Sequence, residues 1–515
     1  MANATNGQRD CCGTKIIFAS SPLFAIWILP SPVHTALIKD FERIMPPIKI
    51  IADAERHKPF ETDAFISHRA LPLCAVLPES EAQVVAIVKA CQVRGVPLVT
   101  RGAGTGISGG SIPLAGGVLV VMTRMNKILQ LDPASRTTRA QPGVANASVA
   151  LASARYKLFY APDTSSQIAC SIGGNVAENA GAIHCLKYGL TVQNVLQLRV
   201  VALNGEILEI GSCAMDAPGY DLLALMNGSE GLLGVITEVT VKRTAEPELV
   251  ETLLAAFASV DDAANAVGNI IAAGVVPAAL EMMDKMVITA CEKFMPAGFP
   301  LDAEALLLVE FDGTAGELAD HLGMVEGVLV ACNAQQICRA RDATARETLW
   351  KSREGASAGL ATISPDYYCM DGTIPRRALP GVLARDQQLA AEYSMMIANV
   401  FHAGNGNLHP VVFYDASKPG EMERSEELGG KLLEVCIDVG GTITGEHGVG
   451  IEKPRQRCVQ FRECELAMFH SVKAAFDPAG LLNPGRAVAE LKRCSEWGGM
   501  HVRAGRISRA DIPRF

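Results

Sequence analysis

Apolar residues along this chain recur in two rhythms, one suited to short buried strands and one to amphipathic helices, with glycine-rich breaks between them. CAVLPES, starting at Cys74, ends in turn residues. EAQVVAIVKACQVRG then places apolar side chains at helical spacing until Gly95 stops it. PLVTR follows as a short strand, RGAGTGISGG interrupts, and GGVLVVM resumes a buried strand. The strand, loop, strand order continues through TRAQPGV, IACSIGGNVAENAGA, VLQLRVVALNGEILEI and LLGVITEVTVKR, and this first domain closes near Ala245 with Glu246-Pro247. A second alternating block runs from Val250 to about Asn483, with helix candidates DDAANAVGNIIAAG and ELADHLGMVEGVLVAC and strand candidates ALLLVEFDG and MIANVFHAG. The pattern predicts two α+β domains, a poorly ordered extension over residues 1–45, and a basic surface tail over 491–515. The apolar stretch from Ile16 to Pro30 is too short to span a bilayer and is broken by Ser and Pro, so it predicts no transmembrane segment.

Composition narrows the class. With 49% hydrophobic and 20% charged residues the chain reads as a well-buried globular protein, and its 47 glycines point to loops where backbone approaches a ligand closely. A net charge of -9 without a basic stripe argues against a nucleic-acid partner. The 15 cysteines, odd in number and without a CxxC pair, suit reduced and mostly buried thiols in a cytoplasmic protein rather than a disulfide scaffold or a thiolate cluster.

Three loops carry the glycines that matter most. Arg101 to Gly110 holds Gly102, Gly104, Gly106, Gly109 and Gly110, with Arg101, Thr105 and Ser108 beside them. Backbone N–H groups there are free to point at phosphate oxygens, as in anion-binding nests. The spacing is not that of a Rossmann fingerprint or a P-loop. A second loop carries Ser171, Gly173, Gly174, Asn175 and Asn179, and a third carries Gly228, Ser229, Glu230 and Gly234. Together they suggest a ligand larger than one phosphate, laid across several strand ends.

The chemistry concentrates in HAGNGNLH, His402 to His409. An Asn-Gly pair between apolar residues is a strong hairpin signal. With Asn405 and Gly406 at the turn, His402 lies directly opposite His409, with Cβ atoms roughly 4.5 to 5.5 Å apart on one face. The two rings then form half a metal site, or merely face solvent or each other. GGTITGEHGVG, from Gly440 to Gly450, offers Glu446 as a third ligand, and two imidazoles with a carboxylate suit a catalytic divalent ion. His447 is left over for acid-base work.

RGAGTGISGG, SSQIACSIGGNVAENAGAIHCLKYGLT, GSEGLLGVITEVTVK, YYCMDGTIPRRALPGVL, FHAGNGNLHP, GGTITGEHGVG and AAFDPAGLLNPGR carry a family resemblance. Over roughly Ile51 to Phe515 the chain resembles the vanillyl-alcohol oxidase type flavoproteins, in particular the group of the FAD-linked D subunit of bacterial glycolate oxidase and the D-lactate and D-2-hydroxyglutarate dehydrogenases. The resemblance implies a two-part FAD-binding domain over 46–247 and a C-terminal α+β cap with an antiparallel sheet over 248–490. It implies pyrophosphate held by Arg101 to Gly110, and flavin contacts from Pro162, Ser165, Gly173, Gly174, Asn175, Gly231, Ile236 and Asn483. It assigns a divalent metal (zinc, manganese or iron) to His402, His409 and Glu446, and the role of base to His447. Arg353 is the candidate for the substrate carboxylate, with Arg376 competing. Asn405 stands where relatives usually have Asp, and Thr164 where they have proline.

These expectations amount to hydride transfer from a small 2-hydroxy acid, most simply glycolate, to flavin N5, with His447 taking the hydroxyl proton. The reduced flavin must then pass electrons on, which implies a second flavin subunit and an iron-sulfur subunit leading to the quinone pool at the inner face of the membrane. A flavin electron-transfer subunit without its own substrate site and a metal-dependent hydrolase are the competing classes.

Overall fold

The computed structural model describes residues 32–214 and 219–488, together with the short strands Val502–Arg503 and Arg506–Ile507. The apolar run at Ile16 to Pro30 and most of the expected tail over 491–515 lie outside the described residues.

The first half of the chain builds two sheets. In the smaller one, Cys74–Val76 and Leu98–Arg101 flank Val118–Val121 in parallel, with Ile50–Ile51 antiparallel at the edge. A parallel connection needs a crossover, and the helix Glu81–Arg94 supplies it. Ser80 caps its start by accepting the Gln83 N–H, and Gly95 ends it at φ 63°, a conformation that costs glycine little. Val84, Ile87, Val88 and Cys91 form its buried stripe. That stripe packs in one core with Leu37 and Phe41 of a further helix, Pro32–Ile44. The expected poorly ordered extension is therefore corrected over residues 32–45. Burying Leu37 and Phe41 contributes about 1.5–3 kcal/mol each and fastens this helix to the core.

The second sheet is antiparallel and five-stranded, in the order Ile128–Asp132, Thr137–Ala140, Val235–Lys242, Val195–Val201, Ile207–Gly211. Beside it the glycine-rich stretch after Cys170, expected as loop, contains the helix Ile172–Glu178. Ser171 caps it by accepting the Gly174 N–H at 3.3 Å, and Asn179 stops it at φ 55°. The glycines at its first turn disguised a helix start.

A seven-stranded antiparallel sheet forms the second half, in the order Gln336–Arg339, Leu249–Phe257, Ala305–Gly313, Ala279–Asp284, Met396–Phe401, Pro410–Tyr414, Asp366–Cys369. Both faces are covered. Leu253, Phe257, Leu280, Val309 and Phe401 pack beneath the helices Val260–Ala272 and Ala315–Ala331. Leu254, Met283, Leu308, Val400 and Val411 pack on the opposite side with the helix Lys285–Phe294. The described cysteines are free except Cys458, which is disulfide-bonded, so uniformly reduced thiols are not observed.

Candidate active site

The hairpin at 402–409 forms, but its turn differs from the expected one. The Gly406 N–H donates to the Ala403 carbonyl at 3.2 Å, which puts Gly404 and Asn405 at the centre, and only Gly406 has positive φ, at 78°. His402 consequently pairs with Asn407, not His409. A slip of two positions preserves the face, because side chains alternate with period 2. His409 becomes a diagonal neighbour, and the rings still meet edge to face with centroids 5.3 Å apart. A side chain at 406 would drive a Cβ to 2.2 Å from the Ile374 carbonyl oxygen, so the turn has little choice of residue there.

Glu446 and His447 reach these rings from a loop organised by Asp371. The fully buried Asp371 carboxylate accepts the backbone N–H groups of Gly445, Glu446 and His447 at 3.0, 3.2 and 3.0 Å, the Thr444 hydroxyl at 2.6 Å and Lys453 Nζ at 3.2 Å. Burial alone would raise its pKa, but Lys453 and then His447 and His409 hold it below the usual carboxylate range. With its oxygens already taken up, Asp371 anchors the loop rather than a metal ion.

Glu446 Oε1 lies 3.4 Å from His402 Nε2 and 3.1 Å from His409 Nε2. Bonds of about 2.0–2.2 Å to a shared ion put neighbouring ligand atoms at roughly this spacing. His409 Nε2 is buried and, although Glu446 Oε1 is near, makes no well-aligned hydrogen bond, which is what a ligand atom aimed at an ion looks like. Burial opposes charge on both rings, yet Glu281 and Glu446 raise His402 to about 10, and Cys369 and Glu446 raise His409 to about 9. The same imidazoles pull Glu446 well below its ordinary value against the effect of burial. This cluster thus demands positive charge, which two protons or one divalent cation supply. The residues fit a divalent metal.

His447 sits with its ring 4.8 Å from that of His409, and its Nδ1 is buried without a partner. Burial drags its pKa down to about 4, below the near-neutral value expected of a base, although Asp371 pulls the other way. The ring is therefore uncharged at neutral pH, with one of its two nitrogens able to accept a proton. Arg353, near the end of the helix Ala343–Glu354, donates from Nη2 to Glu281 Oε2 at 2.7 Å, while its Nε is buried and unpartnered. Arg376 donates instead to the Gly404 carbonyl and does not line the cavity.

One cavity of about 640 Å³ joins these groups to the glycine loops. His402, His409, Glu446, His447 and Arg353 line one end. Gly102, Gly104, Thr105, Gly106, Gly110, Ser165, Gly173, Gly174, Asn175, Gly231 and Ile236 line the rest. A Cβ on Gly102 would meet Ser171 Oγ at 2.2 Å and one on Gly173 would meet Pro142 at 2.5 Å, so only bare backbone fits this wall. Such a cradle suits an extended anionic cofactor.

Five expected contacts lie elsewhere. Arg101 donates to the Thr62 carbonyl at 2.6 Å, and Pro162 receives the Asn146 amide at 2.9 Å. The Ser108 carbonyl accepts the Ile451 N–H at 3.0 Å, and Gly109 packs on Ile451, so this half of the loop is spent on the segment after His447. Asn483 bridges the carbonyls of Gly110 and Glu230 at 3.0 and 2.6 Å. Conversely, Glu281 and Asp371 escaped the sequence reading, and Glu230, placed in the third glycine loop, has a role that reading did not give it. Glu230 accepts the Val449 and Gly450 N–H groups at 2.7 and 2.8 Å, tying the third glycine loop to the one that carries Glu446 and His447. The only trace of Glu281 in the sequence is an acid set between the apolar residues of ALEM.

This combination defines a flavoprotein of two lobes, a cofactor cradle and a cap carrying the polar site. Residues 72–211 match the family described as FAD binding domain and residues 246–487 the C-terminal domain of FAD linked oxidases. The chain belongs to the FAD-linked oxidases. Within them it is 52% identical over 487 residues to glycolate oxidase subunit GlcD of Escherichia coli K12, covering 95% of this chain and 98% of that one. The GlcD of Bacillus subtilis is 37% identical, covering 84% and 93%, and a D-lactate dehydrogenase of Anaerostipes hadrus is 32% identical, covering 89% and 98%. The fold is shared with p-cresol methylhydroxylase (TM-score 0.74, 15% identity, 90% and 98% covered) and with a 4-ethylphenol oxidase from Gulosibacter chungangensis (0.75, 17%, 90% and 98%).

Proposed function

We propose that this chain oxidises a small 2-hydroxy acid, glycolate to glyoxylate in the first instance. The observation that carries this reading is the convergence of His402, His409, Glu446, His447 and Arg353 at one end of the glycine-walled cavity. Arg353 binds the substrate carboxylate, using the Nε–H that has no protein partner. His447, neutral and seated against His409, takes the hydroxyl proton at its unprotonated nitrogen. His402, His409 and Glu446 would hold a divalent ion, zinc, manganese or iron. When bound, that ion supplies Lewis acidity toward the substrate oxygens, and FAD supplies the two-electron acceptor. His409 is buried and the other four groups are half-buried at the cavity end, which limits the water that can compete for them.

D-lactate is the second reading, favoured by the 32% identical D-lactate dehydrogenase. One methyl group changes binding by only about 1–3 kcal/mol, so both acids belong in the same test. Electrons leave through partners, a second flavin subunit and an iron-sulfur subunit, since the sequence has no CxxC pair to carry a cluster. Among the described residues no helix is long and apolar enough to cross a membrane, and contact with the inner membrane face comes through those partners. The test is anaerobic reduction of the bound flavin by glycolate, D-lactate, L-lactate and D-2-hydroxyglutarate. Bleaching by glycolate supports the proposal. Bleaching by none of them returns the chain to a pure electron-transfer role.

A further inference from the structure

We infer that Glu281 is a positioning residue that ties the carboxylate-binding Arg353 to the imidazole of His402, and so restricts the site to acids whose hydroxyl stands on the carbon next to the carboxylate. The inference rests on the function proposed above and adds what sets its substrate class. Glu281 belongs to the strand Ala279–Asp284, whose ladder with Met396–Phe401 pairs Met282 with Phe401 and Met283 with Val400. One rung further, Glu281 faces His402. Its side chain is 0% exposed, in a strand otherwise packed into apolar core. A carboxylate held there without partners would be costly, and both of its oxygens are used. Oε1 lies 2.7 Å from His402 Nδ1 and Oε2 lies 2.7 Å from Arg353 Nη2.

Two consequences follow. Holding Nδ1–H of His402 fixes the tautomer and turns Nε2 toward Glu446, 3.4 Å away. Holding Nη2 of Arg353 leaves Nε as the donor free for a ligand. Imidazole, carboxylate and guanidinium therefore form one rigid row, and the carboxylate hook cannot drift from the hydroxyl end of the site. An acid with its alcohol on the adjacent carbon spans that row. A 3-hydroxy acid carries its reacting carbon one bond further out, and a misplacement of about 1 Å is enough to cost on the order of 100-fold.

The test uses the full-length FAD-loaded protein, with Glu281→Gln and Glu281→Asp, each alone and combined with Arg353→Gln. Asp retains the charge but is one methylene too short to reach both partners. The readouts are kcat and KM for glycolate, turnover of 3-hydroxypropionate, acetate binding followed by the flavin difference spectrum, and FAD and divalent metal content. The expected result is a KM for glycolate and a Kd for acetate raised at least tenfold, metal content reduced, and a narrower preference for glycolate over 3-hydroxypropionate. The KM effect of Glu281→Gln should vanish in the Arg353→Gln background. Variants within twofold of wild type in KM and metal content, or KM effects that simply multiply with Arg353→Gln, overturn the inference. Loss of FAD overturns it too, because a residue that only positions the cap site leaves the cradle loaded. A wild-type protein whose flavin no 2-hydroxy acid reduces sinks the proposed function and this inference with it, whereas the outcomes above sink the inference alone.

Discussion

Asp371→Asn perturbs the anchor of Glu446 and His447 while keeping its volume. The wild-type carboxylate accepts three consecutive backbone N–H groups and pairs with Lys453, itself 1% exposed. Asparagine turns one acceptor oxygen into a donor facing those N–H groups, and leaves Lys453 with the carbonyls of Asp371 and Gly448, at 3.3 and 3.2 Å, and with Glu452 as its remaining carboxylate, 3.7 Å away. Removing one partner of a buried pair costs about 3–5 kcal/mol. At about 2–4 °C per kcal/mol for a domain of this size, Tm should fall by roughly 6–20 °C. Each lost hydrogen bond to a charged group is worth about 1.5–3 kcal/mol, so glycolate turnover should drop by at least tenfold as Glu446 and His447 lose their seat. The sign with pH follows from the depressed carboxyl pKa. Its stabilisation is present above the ordinary value of 3.8 and is lost as pH falls through the folded value. The gap between variant and wild type is therefore complete at pH 6–8 and closes only in strong acid. Calorimetry of the FAD-loaded proteins across that range, with turnover measured alongside, is the assay. A variant melting within 2 °C of wild type at equal turnover would refute the anchoring role.

Asp386 lies buried in the helix Leu379–Tyr393, and burial pushes its carboxyl up to about 8 from 3.8. A raised acid stabilises the fold below its unfolded pKa, and that stability is lost as pH rises through 8. Asp386→Asn should thus gain at most about 6 kcal/mol over wild type by pH 9 and little at pH 4, read from urea midpoints; equal midpoints at pH 9 contradict it. Glu446→Gln should lower bound divalent metal at least tenfold with FAD content unchanged, measured by metal mass spectrometry; simultaneous loss of flavin would show that the two sites are not separable. Phe41→Ala should cost about 3–5 kcal/mol if the helix Pro32–Ile44 is part of the core, and a change under 1 kcal/mol in denaturant unfolding would contradict that packing.

What the sequence discloses here depends on how local the cause is. The hairpin at 402–409 was legible because Asn-Gly is a local signal, yet its register was not, since the Gly406 carbonyl accepts the Ile374 N–H from another segment, whose carbonyl leaves no room for a side chain at 406. The convergence of His402 and His409 survived the error only because a two-residue slip keeps the face. Glycine density marked the cofactor wall, but which glycines face the cavity depends on distant partners. Ser108 and Gly109 are claimed by Ile451, more than three hundred residues later. Glu281 and Asp371 stayed hidden for the same reason: an acid in an apolar strand or a turn gains meaning only from the strand or loop laid across it. The choice between Arg353 and Arg376 likewise needed the fold, which aims one at Glu281 and the other at the Gly404 carbonyl.

The proposed chemistry is tested most directly by single-turnover reduction of the bound flavin with glycolate, compared between wild type and His447→Ala. Wild type should bleach, and the variant, with metal and FAD content intact, should bleach about 100- to 10,000-fold more slowly. Bleaching at the wild-type rate in the variant would contradict the assignment of His447 as the proton acceptor, and with it the site assembled around the paired histidines.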